Sequence, residues 1–178
     1  MKNDRIVRLV MTALFAAMTG VATLAVHIPI PATQGYVNLG DGMVLLGAFF
    51  LGPAYGAAAA GVGSALADLL LGYAVYAPGT AVIKALCAVT AAVCMRLLYQ
   101  KTKLAAVIAG LAGEVLMVLG YFLYESTVLR FGLAAAGSIP ANAVQGGVGL
   151  VAGAVLYHAL CKIPAVKKMQ FVKKRDHR

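Results

Sequence analysis

The sequence predicts an all-α integral membrane protein, a single bundle of six transmembrane helices with both termini cytoplasmic. Three observations carry this. Of the 178 residues, 62% are hydrophobic and 12% charged, with a mean hydropathy of +0.88; a soluble domain is nearer half apolar and a quarter charged. The apolar residues lie in long runs rather than at amphipathic spacing, as helices facing lipid require. The basic residues gather at three places: of fifteen Lys and Arg, seven lie in 162–178, three in 2–8, and three (Arg96, Lys101, Lys103) flank one short loop.

The segments follow in order, with boundaries good to a few residues. The first covers about 6–28 and stops at the proline pair Pro29 and Pro31. The second covers about 39–51 and stops at Gly52-Pro53; at about 20 Å it is short for a bilayer, so it extends a turn or sits among other helices. The third covers about 54–73, the fourth about 79–99 after Pro78, the fifth about 104–124, and the sixth about 141–161 after Pro140. A basic tail, 162–178, completes a single domain spanning 1–178. The first segment has basic flanks and no clear cleavage site, so it reads as a retained helix.

Six crossings place the basic head, the loop around Lys101 and the basic tail on one side. The opposite loops, 29–37, 74–77 and 125–139, hold only Arg130. The excess of Lys and Arg marks the first side as cytoplasmic. The same clustering argues against nucleic acid as a partner of the +9 chain, whereas a polybasic tail suits anionic lipid headgroups. Cys87, Cys94 and Cys161 lie in apolar runs without a C-x-x-C pair, and read as small buried hydrophobes.

Small residues recur four apart, at Ala13 and Ala17, Gly52 and Gly56, and Gly149 and Gly153. Such stripes let helices approach closely, within the bundle or against a partner. Ala13 and Ala17, on the first helix, are the leading candidates for a partner-docking face.

The polar residues inside the runs fall at one depth. Asn38 and Asp41 begin the second segment, and Asp68 is about five residues from the outer end of the third. Lys84 lies roughly 9 Å into the fourth. Glu114 is near mid-depth in the fifth with Tyr121 above it, and Asn142 and Gln145 occupy the first turns of the sixth. Intramembrane charges face a bundle interior, a partner or a water-filled cavity. The simplest arrangement is one ligand cavity open to the outside. Tyr36, Tyr73, Tyr76, Tyr121 and Tyr124 share its level, either stacking on a flat ligand or forming an interfacial belt. Structural roles compete. Asn38 and Asp41 fit a capping box, with Asp41 at N3. Lys84 can pair with Asp68 or with Glu114, and Glu114 can instead be protonated. Asn142 and Gln145 share a helix face and read as ligand contacts before caps. His27 sits at the rim and His158 near the cytoplasmic end. Asp41→Ala and Lys84→Ala are expected to weaken binding while leaving the protein folded.

Enzyme chemistry is missing. The stretch from Gly56 to Ser64 superficially follows a phosphate loop, but Val62 stands where that motif needs Lys. No zinc-protease, nucleophile-elbow or metal-spaced cluster occurs. No cofactor or metal is expected on this chain, and any ATP-driven step belongs to another subunit. A channel or autonomous carrier is the competing class; it needs a polar path through the inner half, which is nearly free of polar side chains.

The stretch "GYVNLGDGMVLLGAFFLGPAYGAAAAGVGSALADLLLGY" with "YAPGTAVIKAL" resembles the substrate-binding S components of energy-coupling factor (ECF) vitamin transporters. More narrowly it is similar to the riboflavin-type group, which includes hydroxymethylpyrimidine and pyridoxine carriers. The resemblance implies an S-component bundle in a bacterial plasma membrane and a vitamin pocket near the outer surface. It implies that the loop at 29–37, with Gly35 as a hinge, covers the pocket. It also implies docking of Ala13 and Ala17 on a shared transmembrane coupling subunit, two cytoplasmic ATPases that use the ATP, and toppling of the S component to deliver its ligand. The polar set favours a small flat heterocycle, hydroxymethylpyrimidine or a vitamin B6 form first and riboflavin second.

Overall fold

The computed structural model describes residues 2–31, 33, 35–167 and 170. Helix α1 (Lys2–Ala25) leads into two short strands, β1 (His27–Ile30) and β2 (Gly35–Asn38). Then come α2 (Asp41–Leu51), α3 (Pro53–Leu70), α4 (Ala77–Leu98), α5 (Ala105–Leu123), α6 (Ile139–Leu160) and the short α7 (Pro164–Lys167). A π-helical turn (Tyr124–Val128) and a 3-10 stretch (Gly132–Ser138) connect α5 to α6.

The first departure from expectation is at the end of α1. The helix stops at Ala25 instead of continuing to residue 28, and the loop expected over 29–37 is an antiparallel hairpin. Its register pairs His27 with Asn38, Ile28 with Val37, Pro29 with Tyr36 and Ile30 with Gly35. The residue before a proline is pushed out of the α region, and Ile28 and Ile30 each precede one. A two-stranded ribbon has only edge strands, where Pro29 is tolerated.

Helix α2 is the axis of the molecule. It packs against α1, α3, α4, α5 and α6, and ten of its eleven residues are buried. That explains its composition: a helix surrounded on all sides is apolar all round. It also explains its length, about 17 Å at 1.5 Å per residue, because it has no lipid face to match. Gly52, at φ 80°, turns the chain directly into Pro53 at the start of α3; the left-handed conformation suits glycine and the fixed φ of proline suits a helix start. The core below the hairpin end is apolar and includes Phe15, Leu45, Leu46, Phe49, Met95 and Met117.

The outward faces carry exposed hydrophobics at helical spacing. Examples are Val10, Leu14 and Val21 on α1, Val62, Leu66 and Leu69 on α3, and Val144, Val148, Val151 and Val155 on α6. Such faces need lipid. Among the described residues, four stretches, Arg5–Ala25, Ala77–Leu98, Ala105–Val128 and Gly132–Leu160, are long and apolar enough to cross a membrane. The tail at 162–178 falls mostly outside the described residues. Within it, Gln170 is buried under the bundle, its Nε2 donating to Tyr157 Oη and its Oε1 accepting from Tyr99 Oη, both at 3.0 Å.

Candidate functional site

Asp41 is the first residue of α2 and is completely buried. One carboxylate oxygen holds the ammonium of Lys84 on α4. The other accepts from Gln145 Nε2 on α6 at 2.5 Å. Gln145 Oε1 in turn accepts from the Asn38 backbone N–H at 2.7 Å, and Asn38 Oδ1 accepts from Gly40 N–H at 2.8 Å and Thr23 Oγ1 at 3.3 Å. This chain of contacts ties α4, α2, α6, β2 and α1 together. Lys84 Nζ also lies 5.4 Å from the centre of the Tyr121 ring, a cation–π distance.

The expected roles change accordingly. Lys84 pairs with Asp41, not with Asp68 or Glu114, because the packing of α2 between α4 and α6 brings Asp41 to it. The capping box does not form. Gly40 precedes the helix without a side-chain cap bond, Asp41 is at N1 rather than N3, and its oxygens are taken by Lys84 and Gln145.

Next to this network is a small cavity of about 20 Å³, lined by Asn38, Asp68, Tyr76, Tyr121 and Asn142 among others. These come from β2, α3, the start of α4, α5 and α6. Tyr36, placed at this level from the sequence, lines it too, as do two residues that sequence reasoning did not name, Thr80 and Glu125. Tyr36 reaches down from the hairpin to donate to Asp68 Oδ1. Burial, reinforced by the Asp68 carboxylate, pushes the Tyr36 phenol well above its ordinary value, so it stays a neutral donor. Thr80 Oγ1 and Tyr121 Oη are 3.0 Å apart. Glu125 lies in the π-helical turn, where no sequence cue separates it from an ordinary loop acid. One of its oxygens lies 3.2 Å from Tyr76 Oη and the other accepts from the Ser138 hydroxyl.

A wider cleft of about 500 Å³ lies on the far side of the hairpin and shares Ile30, Gly35 and Tyr76 with the inner cavity. These three residues are the partition between the two. Tyr76 Oη donates to Thr33 O at 2.6 Å, so one hydroxyl fastens the hairpin tip to the body of the bundle. Tyr73 lines the outer cleft and stacks against Tyr36 with ring centres 4.6 Å apart. Tyr76 continues the aromatic run to Tyr124, whose hydroxyl donates to Val75 O at 2.7 Å. His27 meets the Tyr36 ring edge-on. Tyr76→Phe is expected to raise amide hydrogen exchange across 27–38 several-fold while costing only about 0.5–1.5 kcal/mol globally. Unaltered exchange would show that strand pairing alone holds the hairpin.

Glu114 goes elsewhere. It is buried, with neither carboxylate oxygen hydrogen-bonded among the described residues, and it faces Gly146 on α6. It lines a separate apolar groove of about 290 Å³ between α5 and α6, not the polar cavity. Ala13 and Ala17 are exposed on α1, and the neighbouring Ala16 and Gly20 pack on α3 at Gly63. His158 Nδ1 donates to Ala154 O, 2.7 Å away, and His158 is not among the residues that line the cavity.

Comparison with known proteins gives three findings. A family profile described as "ECF-type riboflavin transporter, S component" matches residues 3–162. A solved structure described as "Structure and mechanism of the S component of a bacterial ECF transporter" has the same fold, with a TM-score of 0.67 at 20% identity over 91% of this chain and 98% of that one. An "Uncharacterized protein in gap 3'region" of Pyrococcus woesei is 56% identical over 64 residues, which are 36% of this chain and 43% of that protein. The chain therefore spans less than half the length of this curated relative.

Proposed function

The chain belongs to the ECF-type riboflavin transporter S component family, and from that premise we propose that it captures a small vitamin or vitamin precursor at the hairpin end of the bundle. Members of the family are substrate-binding subunits of ECF transporters rather than enzymes, and the fold is that of a multi-pass membrane protein. The hairpin end faces the outside of a bacterial plasma membrane, both termini face the cytoplasm, and the six helices cross. Ala13 and Ala17 dock on the transmembrane coupling subunit. Two cytoplasmic ATPases supply the energy, and this chain binds no cofactor itself.

The observation that carries the reading is the inner cavity, where polar side chains from six elements converge at the hairpin. At about 20 Å³ it is nearly closed, so the ligand enters by displacing the hairpin. A single-ring heterocycle, hydroxymethylpyrimidine or a vitamin B6 form, needs the smallest displacement. Riboflavin is second, because its fused rings need the inner cavity and the outer cleft joined. An autonomous carrier would need a polar route beneath the Asp41–Lys84 pair, and the residues packed there are apolar.

The test has two arms. Protein purified without added vitamin is expected to carry a stoichiometric pyrimidine or B6 compound, identified by native mass spectrometry. Proteoliposome uptake of that compound is expected only with the energizing module and ATP. A protein that no vitamin occupies or stabilises, or that transports alone, overturns the proposal.

A further inference from the structure

From the charges around the inner cavity we infer that its ligand is a cation: a small flat heterocycle bearing a protonated amine, held by the free oxygen of Asp68. This rests on the binding role proposed above and narrows its substrate class.

The argument begins with which acids are already satisfied. Asp41 is matched by Lys84 and Gln145. Glu125 accepts from the Ser138 hydroxyl, and its other oxygen lies 3.2 Å from the Tyr76 hydroxyl, which it shares with Thr33 O. Asp68 is different. Its side chain is 2% exposed, Tyr36 donates to Oδ1, and Oδ2 has no hydrogen-bond partner among the described residues. The Thr80 hydroxyl beside it is a neutral donor that also sits 3.0 Å from Tyr121 Oη, and the Lys84 ammonium acts on the carboxylate from outside the cavity lining. No Lys, Arg or His lines the cavity among the described residues. The exposed His27 reaches only the edge of the Tyr36 ring.

A buried carboxylate oxygen left without a donor is costly, and a bond from an ionised N–H is about twice as strong as a neutral one. A ligand ammonium supplies both the missing donor and the missing charge. The walls suit it as well. Tyr36, Tyr76 and Tyr121 line the same small volume, and aromatic rings attract cations. Asn38 and Asn142 are neutral and can orient a ring nitrogen or an exocyclic amine without opposing its charge. An anionic ligand would meet Asp68 and Glu125 with no cation among the described lining residues, Lys84 being already paired with Asp41, and a neutral alcohol would add no charge to balance Asp68.

Two ligand pairs test this: pyridoxamine against pyridoxine, and the aminomethyl against the hydroxymethyl form of the 4-amino-2-methylpyrimidine. Each pair exchanges a protonated amine for a hydroxyl and little else. Isothermal titration of the full chain in nanodiscs at neutral pH is expected to show the amine binding at least about ten-fold tighter in one pair. Asp68→Asn, which keeps an acceptor for Tyr36, is expected to narrow that ratio to within about three-fold. The wild-type ratio stands as a test even if the variant is unstable. An alcohol bound as tightly as its amine would overturn the inference while leaving the binding role intact. Binding of neither pair, nor of riboflavin, would overturn the binding role itself.

Discussion

Asp41→Ala is expected to cost about 3–5 kcal/mol of stability, the cost of stranding one member of a buried ion pair. Lys84 is 1% exposed and Asp41 is 0% exposed, so no water can replace the lost carboxylate without rearrangement. Gln145 Nε2 loses its acceptor in the same stroke. From sequence alone, this substitution is expected to weaken binding in an intact fold; the burial of the pair makes the fold itself the first casualty. A double variant, Asp41→Leu with Lys84→Met, separates the two effects. Replacing both charges with apolar groups of similar size is often neutral or stabilising, so the double variant should recover more than half of the loss in thermal unfolding, though not ligand affinity. A single variant as stable as the parent would mean that the pair is hydrated rather than buried.

The second large effect is at Gly149. A Cβ there would sit 2.6 Å from Asp41 Cβ and 3.3 Å from the Asp41 carbonyl carbon. Gly153, one turn on, is closely but less tightly placed, 3.1 Å from Leu45 Cβ and 3.3 Å from the Gly42 carbonyl. This close approach of α6 to α2 brings Gln145 to Asp41. Gly149→Ala must push the helices apart, which is expected to cost about 1–3 kcal/mol by overpacking and to draw Gln145 away from both Asp41 and Asn38. Binding should then fall by at least about ten-fold, since 1.4 kcal/mol suffices. Gly147→Ala is the matched control: nothing lies within 4 Å of its Cβ position, and Ala is the better helix former. Equal behaviour of the two variants in unfolding and titration would show that the α2–α6 contact does not set the site.

The helices were legible because long apolar runs bounded by proline and glycine have few other readings. Gly52-Pro53 marked the α2–α3 junction, and Pro140 marked the start of α6. The common depth of Asn38, Asp68, Tyr121 and Asn142 was legible too, since depth follows from counting residues along a helix. What a helix faces is another matter. Lys84 had three acids at compatible depths, and the lateral packing of α2 selected Asp41. Glu114 sits at the depth of the others but is rotated toward α6 and a separate groove. The hairpin was hidden for the opposite reason: its alternating Ile28 and Ile30 are a strand signal, but the intervening prolines read as breakers. Glu125 carried no signal, because its burial depends on Tyr76 and Ser138, which are remote in sequence.

The enclosure of α2 has a mechanical consequence. A bilayer that thickens, thins or curves acts on a protein through its lipid-facing surface, and helices answer by tilting or kinking. In this chain that load falls on α1, α3, α4, α5 and α6, which carry the exposed hydrophobics. Helix α2 is surrounded by them and starts with the carboxylate that anchors Lys84 and Gln145. The floor of the site is thus carried on an element that no lipid touches. The outer helices can change their tilt from one membrane environment to the next while Asp41 keeps its partners, which insulates the proposed binding site from the lipid around it.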